Sequence, residues 1–254
     1  VSFWTAYLKA HYPAEYMAAL LTSVGDSRDK LALYLNECRR MGIKVPPPDV
    51  SESIEYFAAA GEDIRFGLGA IRNVGRNVVD GIVAARADGP YKGFHDFLDR
   101  VPAHVTNKRT VESLAKAGAF DTMGNTRRAL LEIHEDAVEA AVDIKRKEAT
   151  GAVGFDFDSL YEEAEEVMPA KVPERPEWTK KDKLAFEREM LGLYVSDHPL
   201  AGLEIPLAKH ASIGIHDLLA SEDIADGDQA VIAGLVTSVQ HRVAKASGNP
   251  YGMI

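Results

Sequence analysis

One cysteine in 254 residues, Cys38, leaves no partner for a disulfide and no thiolate set for a zinc site, and it fits a reducing cytoplasm. No apolar run approaches the roughly 18 residues that a membrane-spanning helix needs. Basic residues are outnumbered 29 to 39, a net charge of −10, which taken whole argues against a nucleic-acid binder because phosphates favour basic surfaces. What is present is 46% hydrophobic residues, enough for a buried core, so wholesale disorder is excluded. Val1 opens the sequence without a secretory pattern and Met253-Ile254 closes it inside a strand-like pattern, so a fragment of a longer chain is expected.

The charge is unevenly spread. Residues 65–128 hold 11 basic and 6 acidic side chains, net +5, while residues 132–190 hold 9 and 17, net −8. A basic block inside an acidic chain points to separate partners, and the acidic part is expected to keep anions off the wrong face.

Apolar residues at helical spacing predict two helices over 2–24, the second opened by Pro13, and a third through Leu31, Tyr34, Leu35 and Cys38, capped by Asp26 or Ser27 and ended by Gly42. Trp4, Tyr7 and Tyr16 read as packing residues, as do His11 and Cys38. Pro46–Asp49 is a stiff connector. Ile54–Phe57 and Ile64–Phe66 predict a hairpin near 53–66. Short helices follow from about 68 to 146, then an acidic, Pro- and Gly-bearing linker, a helix over 180–195, and alternating residues from about 228 that read as paired strands around Ser247–Pro250.

The informative stretch is Phe66–Arg86. A short apolar helix (Leu68, Ile71) meets a turn at Asn73-Val74-Gly75, and a second helix follows with Val78, Val79, Ile82 and Val83 on one face. Helix, hairpin, helix with a glycine at the turn suits a phosphate. Gly75 puts no Cβ in the way, the N–H groups opening the second helix point at the anion, and Arg72 and Arg76 add charge, with Asn77 beside them. Such a grip reads no base edge, so it is independent of sequence and sensitive to salt. The same residues also fit an ordinary corner between helices. A degenerate second copy runs from Phe94–Arg100 through Pro102–Thr106 to a helix from Asn107, with Thr106 or Asn107 as its cap. Lys108 and Arg109 sit at that helix start against the dipole, which suggests an anionic partner or, equally, two solvated charges.

Several stretches together resemble the alpha subunits of bacterial DNA polymerase III, the C-family replicative polymerases. They are Tyr7–Leu20, Asn36–Gly42 with Pro47–Asp49, Phe66–Ile71, Asn107–Arg109, Lys116–Asp121, and Glu187–Tyr194 with His198-Pro199. The resemblance implies a mainly α fold. Residues 1–64 are distal fingers helices, and 65–149 are a tandem helix-hairpin-helix region holding duplex DNA next to a clamp-binding region. Residues 150–179 are an acidic linker, 180–227 a helical connector, and 228–254 the truncated start of an OB-fold. DNA contacts fall on Arg72, Asn73, Val74, Gly75, Arg76, Asn77, Asn107, Lys108 and Arg109. The family's clamp-binding segment carries a Gln. The corresponding place here has none and offers Phe155, Phe157 and Leu160 as apolar anchors, which could equally fold back on the chain's own surface. Implied partners are duplex DNA, the sliding clamp and other holoenzyme subunits, with no membrane. The palm carboxylates and their Mg2+ belong upstream, so no catalytic residue, metal ligand or cofactor is assigned here, and no polymerase activity is expected of the segment alone.

Rival readings are a clamp adaptor with little DNA affinity of its own, and the equivalent region of a lesion-bypass paralogue. Asp156, Asp158 and the Glu162–Glu166 run read as solvated charge, and His198 as part of a turn.

Overall fold

Tyr12 separates the first two helices, because Pro13 has no N–H to continue the first and its fixed φ suits the opening of the second. The computed structural model describes residues 2–25, 27–149, 171–220, 227–236, 239–243 and 249–253. It is mainly helical, with two short antiparallel strand pairs. The chain divides into two units, Val1–Ser196 and Asp197–Ile254.

In the first unit, α1 (Ser2–His11) is followed by α2 (Pro13–Ser23), which buries Ala14, Met17, Ala18 and Leu21, one face at helical spacing. α3 (Arg28–Arg40) buries Leu31, Leu35 and Cys38, and Gly42 leaves it at φ +78°. Burial pushes the Cys38 thiol up to about 11, which leaves it protonated and unreactive. One expectation fails here. Trp4 and Tyr7 do not pack into this core: α1 has no buried residue, Trp4 is 67% exposed, and Tyr7 lies along the helix against Phe3 and His11. Tyr16 does pack against the core.

The hairpin forms, but later than expected, with β1 (Ala58–Ala60) paired to β2 (Asp63–Arg65) across Gly61. Ile54–Phe57 is no strand, because the Ile54 and Glu55 carbonyls accept the N–H groups of Leu68 and Gly69 instead. That approach needs the glycines of Phe66–Ala70. A Cβ on Gly67 or Gly69 would lie 2.6 or 2.9 Å from the Glu55 oxygen.

The rest of the unit is α4 (Arg76–Ala85), α5 (Phe94–Arg100), α6 (Lys108–Ala117), α7 (Arg127–Ala149) and α8 (Lys180–Leu191). Phe94, Phe97 and Phe120 meet edge-on at 5.0–5.4 Å between ring centres and seat α5 on the end of α6. At the junction of α6, α7 and α8 lies a buried ionic group. Arg127, 1% exposed, donates to both oxygens of Asp121 (2.9 and 2.7 Å) and to the Lys116 carbonyl, and its Nη2 lies 3.1 Å from Oε1 of the fully buried Glu187. The other Glu187 oxygen accepts the N–H groups of Val195 and Ser196. Gly118 ends α6 at φ +84°, and a Cβ there would strike Arg127 at 2.2 Å.

Residues 171–179, grouped with the linker from sequence, run along α7. Arg175 binds Glu132 with two hydrogen bonds of 2.6 Å, and Glu177 accepts the N–H groups of Arg127, Arg128 and Trp178, so its carboxylate sits on the N-terminus of α7. Burial works against the charge of Glu177, but these N–H groups and Lys183 hold its carboxyl below the ordinary value.

The second unit holds α9 (Glu204–His210), α10 (Ile215–Ala220) and a ribbon of β3 (Gln240–Val243) with β4 (Pro250–Met253). The strand expected from 228 begins only at Gln240. Val231 is instead tied to Ser212, whose N–H and hydroxyl bond its carbonyl and N–H. None of this unit's residues whose exposure is described is buried.

Replacing Arg127 by Leu leaves Glu187 buried without its cation and is expected to cost about 3–5 kcal/mol in urea unfolding. Gly118→Ala is expected to destabilise far more than Gly42→Ala, since both have positive φ but no atom lies within 4 Å of a Cβ at Gly42. A carboxyl lowered by folding contributes stability above its unfolded pKa and loses it as pH falls through the folded one. The stability gap between wild type and Glu177→Gln is therefore expected to be full at neutral pH and to close below about pH 4, as measured by denaturation at stepped pH.

Candidate nucleic-acid interface

The first hairpin is set from below by apolar anchors. Leu68 sits in a single 3-10 turn, Leu68–Ala70, and Ile71 and Val74 are buried beneath the bend. Val74 thus anchors the turn, its N–H spent on the Ile71 carbonyl. Asn73 takes the left-handed conformation, φ +66°, which reverses the chain. Gly75 then stands at the N-cap of α4, with nothing within 4 Å of where a Cβ would be. The main-chain N–H groups of Gly75, Arg76 and Asn77 have no intramolecular acceptor among the described residues and open outward at the positive end of the helix dipole. Arg72 is exposed without an ion pair among the described residues, while its N–H is fixed by the Met190 carbonyl of α8. Arg76, 70% exposed, has only loose neighbours, Glu55 at 3.6 Å and Asp80 at 3.9 Å.

The second hairpin is built differently. Asn107 caps α6, its side-chain oxygen accepting the Thr110 N–H at 2.9 Å, so the unspent donors there are the N–H groups of Lys108 and Arg109. Lys145, reaching from α7, donates to the Leu98 and Val101 carbonyls and to the Thr106 hydroxyl, which ties down the loop ahead of α6. Arg109 is exposed without an ion pair among the described residues. Lys108 is engaged: its ammonium donates to Glu139 at 3.1 Å and lies 3.8 Å from Glu135. The bond to Glu139 holds the Lys108 ammonium above its ordinary value against slight desolvation, and the charges of Glu139, Glu135 and Asp136 add to it. Of the two cations at this helix start, Lys108 therefore has partners within the chain, while Arg109 has no ion pair among the described residues.

The two hairpins touch. Asn73 donates to the Ser113 hydroxyl at 3.0 Å, and that hydroxyl donates in turn to the Arg109 carbonyl at 2.8 Å. His104 Nε2 meets the Asn77 carbonyl at 3.0 Å. α4 and the loop before α6 approach so closely that a Cβ on Gly81 would lie 2.8 Å from Val105. Ser113, His104 and Gly81 were not singled out from sequence, and their one signal is a glycine in the middle of an otherwise apolar-faced helix.

A family model described as a helix-hairpin-helix motif matches residues 42–130, which span both hairpins. Over the whole chain, the sequence is 51% identical to the DNA polymerase III subunit alpha of Saccharopolyspora erythraea and 39% identical to that of Pasteurella multocida. It is 49% identical over 99% of its length to that of Mycobacterium tuberculosis. The chain belongs to the DNA polymerase III alpha family. It spans about a fifth of the length of these relatives, 21–22%. The stretches by which the chain resembles this family are largely explained by packing. Lys116–Asp121 supplies the Lys116 carbonyl, Gly118 and Asp121 around Arg127, and Phe120 to the ring cluster with Phe94 and Phe97. Glu187 is that arginine's second carboxylate, and Asp49 accepts the Thr122 hydroxyl at 2.7 Å. The proposed clamp anchors Phe155, Phe157 and Leu160, and the acidic run at 162–166, lie outside the described residues. No group of three or more His, Cys, Asp or Glu among the described residues is placed to hold a metal ion. Nor is any helix among them long and apolar enough to cross a membrane.

Asn73→Gly is expected to leave stability within about 1 kcal/mol of wild type, because relief of the positive φ offsets the lost bond to Ser113. Asn73→Val loses the bond and keeps the strain, and a loss of about 2–3 kcal/mol is expected in the same unfolding assay.

Proposed function

We propose that this segment holds duplex DNA by its phosphate backbone, as part of a replicative DNA polymerase, and so helps to seat the enzyme on DNA and on its sliding clamp during chromosome replication. The observation that carries the reading is the first hairpin, where three unspent N–H groups at a helix start lie beside two exposed arginines inside the stretch that matches a helix-hairpin-helix motif. Asn73 serves this grip by shaping the turn. Gly75, Arg76 and Asn77 offer the donors, Arg72 and Arg76 the charge, and Asn107, Lys108 and Arg109 the second point of contact. None of these groups is specific for a base, which suits a protein that must slide along any sequence.

On this reading nucleotidyl transfer and its Mg2+ belong to parts of the family's proteins outside the matched stretch, and this segment has no polymerase activity alone. The clamp, expected to take Phe155, Phe157 and Leu160, and the other holoenzyme subunits are proposed partners, and the cytoplasm is the proposed location.

A salt titration of duplex binding by gel shift tests the grip. Gly75→Asp combined with Lys108→Glu and Arg109→Glu, with helicity checked by circular dichroism, is expected to weaken binding at least about tenfold and to flatten the salt dependence. Duplex binding by this triple variant at wild-type strength would sink the proposal and leave the clamp-adaptor reading in its place.

A further inference from the structure

The two hairpins are unequal. Among the described residues, Arg72 and Arg76 at the first and Arg109 at the second stand free or loosely paired, whereas Lys108 at the second is bound by Glu139 and Glu135, one helical turn apart on α7. All three side chains are about half exposed or more, at 47%, 67% and 65%, so the pairs are solvated, individually weak and open to exchange. A phosphate brought to the start of α6 meets the unspent N–H groups of Lys108 and Arg109 and, at the same spot, carboxylates that already occupy the nearest ammonium. We propose that Glu135 and Glu139 act as an intramolecular competitor for DNA phosphate at Lys108, holding the second hairpin as the weaker of the two contacts and setting the affinity of the grip. When phosphate arrives, Lys108 exchanges one anion for another, so its net gain is small. The first hairpin then supplies most of the affinity, and the second engages and releases. That arrangement limits how tightly duplex is held while leaving two contacts in place, which suits a protein that must translate along DNA.

The inference rests on the duplex-binding reading above and goes beyond it in assigning a role to α7. Its test is a double-mutant cycle on the full 254-residue chain, with fluorescence anisotropy of a labelled duplex at several salt concentrations. The proteins are wild type, Glu135→Gln/Glu139→Gln, Lys108→Gln, and the combination of all three. Freeing Lys108 is expected to tighten binding about two- to fivefold and to steepen the log–log salt slope by about 0.9, one added phosphate contact. In the Lys108→Gln background the same two glutamines are expected to do little. Equal tightening with and without Lys108 would assign the effect to the general negative field of α7 and overturn the proposal, as would no tightening at all. If wild type binds and responds to Gly75→Asp while the glutamine variant changes nothing, this inference fails and the grip stands. If neither wild type nor the glutamine variant binds duplex, both fail. Binding gained only by the glutamine variant supports the competitor.

Discussion

Everything around the proposed DNA surface depends on one buried cation. Arg127 joins the end of α6, the start of α7 and the middle of α8, the last distant in sequence from the other two, through Asp121, the Lys116 carbonyl and Glu187. Burial works against its charge, yet the carboxylates more than restore it and hold the guanidinium above its ordinary value. Such a group adds little net stability over an apolar substitute, since desolvation offsets most of the attraction; what it does is penalise any other arrangement of the helices. Glu187 shows this: one oxygen faces Arg127 without hydrogen-bond alignment and the other holds the chain after α8, so a shifted helix would strand a buried carboxylate.

From that junction the constraint reaches the surface. α8 presents the Met190 carbonyl to Arg72 and Glu189 to Lys116, so the helix locked by Arg127 also fixes the first hairpin's entry and the face of α6. Asn73 and Ser113 then set one hairpin against the other, with Gly81 allowing the close approach. The donors proposed to face an anion are thus held in place from within, which is the condition under which dipoles act on a bound charge without reorganising.

Much of this was legible in the sequence where a local signal exists. Pro13 opens a helix, Gly42 leaves one, Asn107 caps one, and the Asn73–Gly75 turn falls where periodicity places it. What was not legible came from partners far along the chain. Ile54–Phe57 has strand composition, but its carbonyls are claimed by Leu68 and Gly69. Trp4 and Tyr7 have the spacing of a packed face, but both stay exposed, with ring contacts only to residues of their own helix among the described residues. Lys108 reads as an unpaired charge opposing a dipole until α7 folds alongside it, and no periodicity announces that Glu139 will arrive there. The net charge of −10 misleads for the same reason: it sums over surfaces that folding separates.

The N–H groups of Gly75, Arg76 and Asn77 are parts of peptide bonds. They have no side chain to be trimmed and no proton that titrates near neutrality, and of the twenty residues proline alone deletes such a donor. A surface built on them can drift in composition, as arginine gives way to lysine or asparagine to serine, while the groups proposed to meet a phosphate stay the same. What selection must guard is the shape of the bend rather than the identity of its outward-facing side chains.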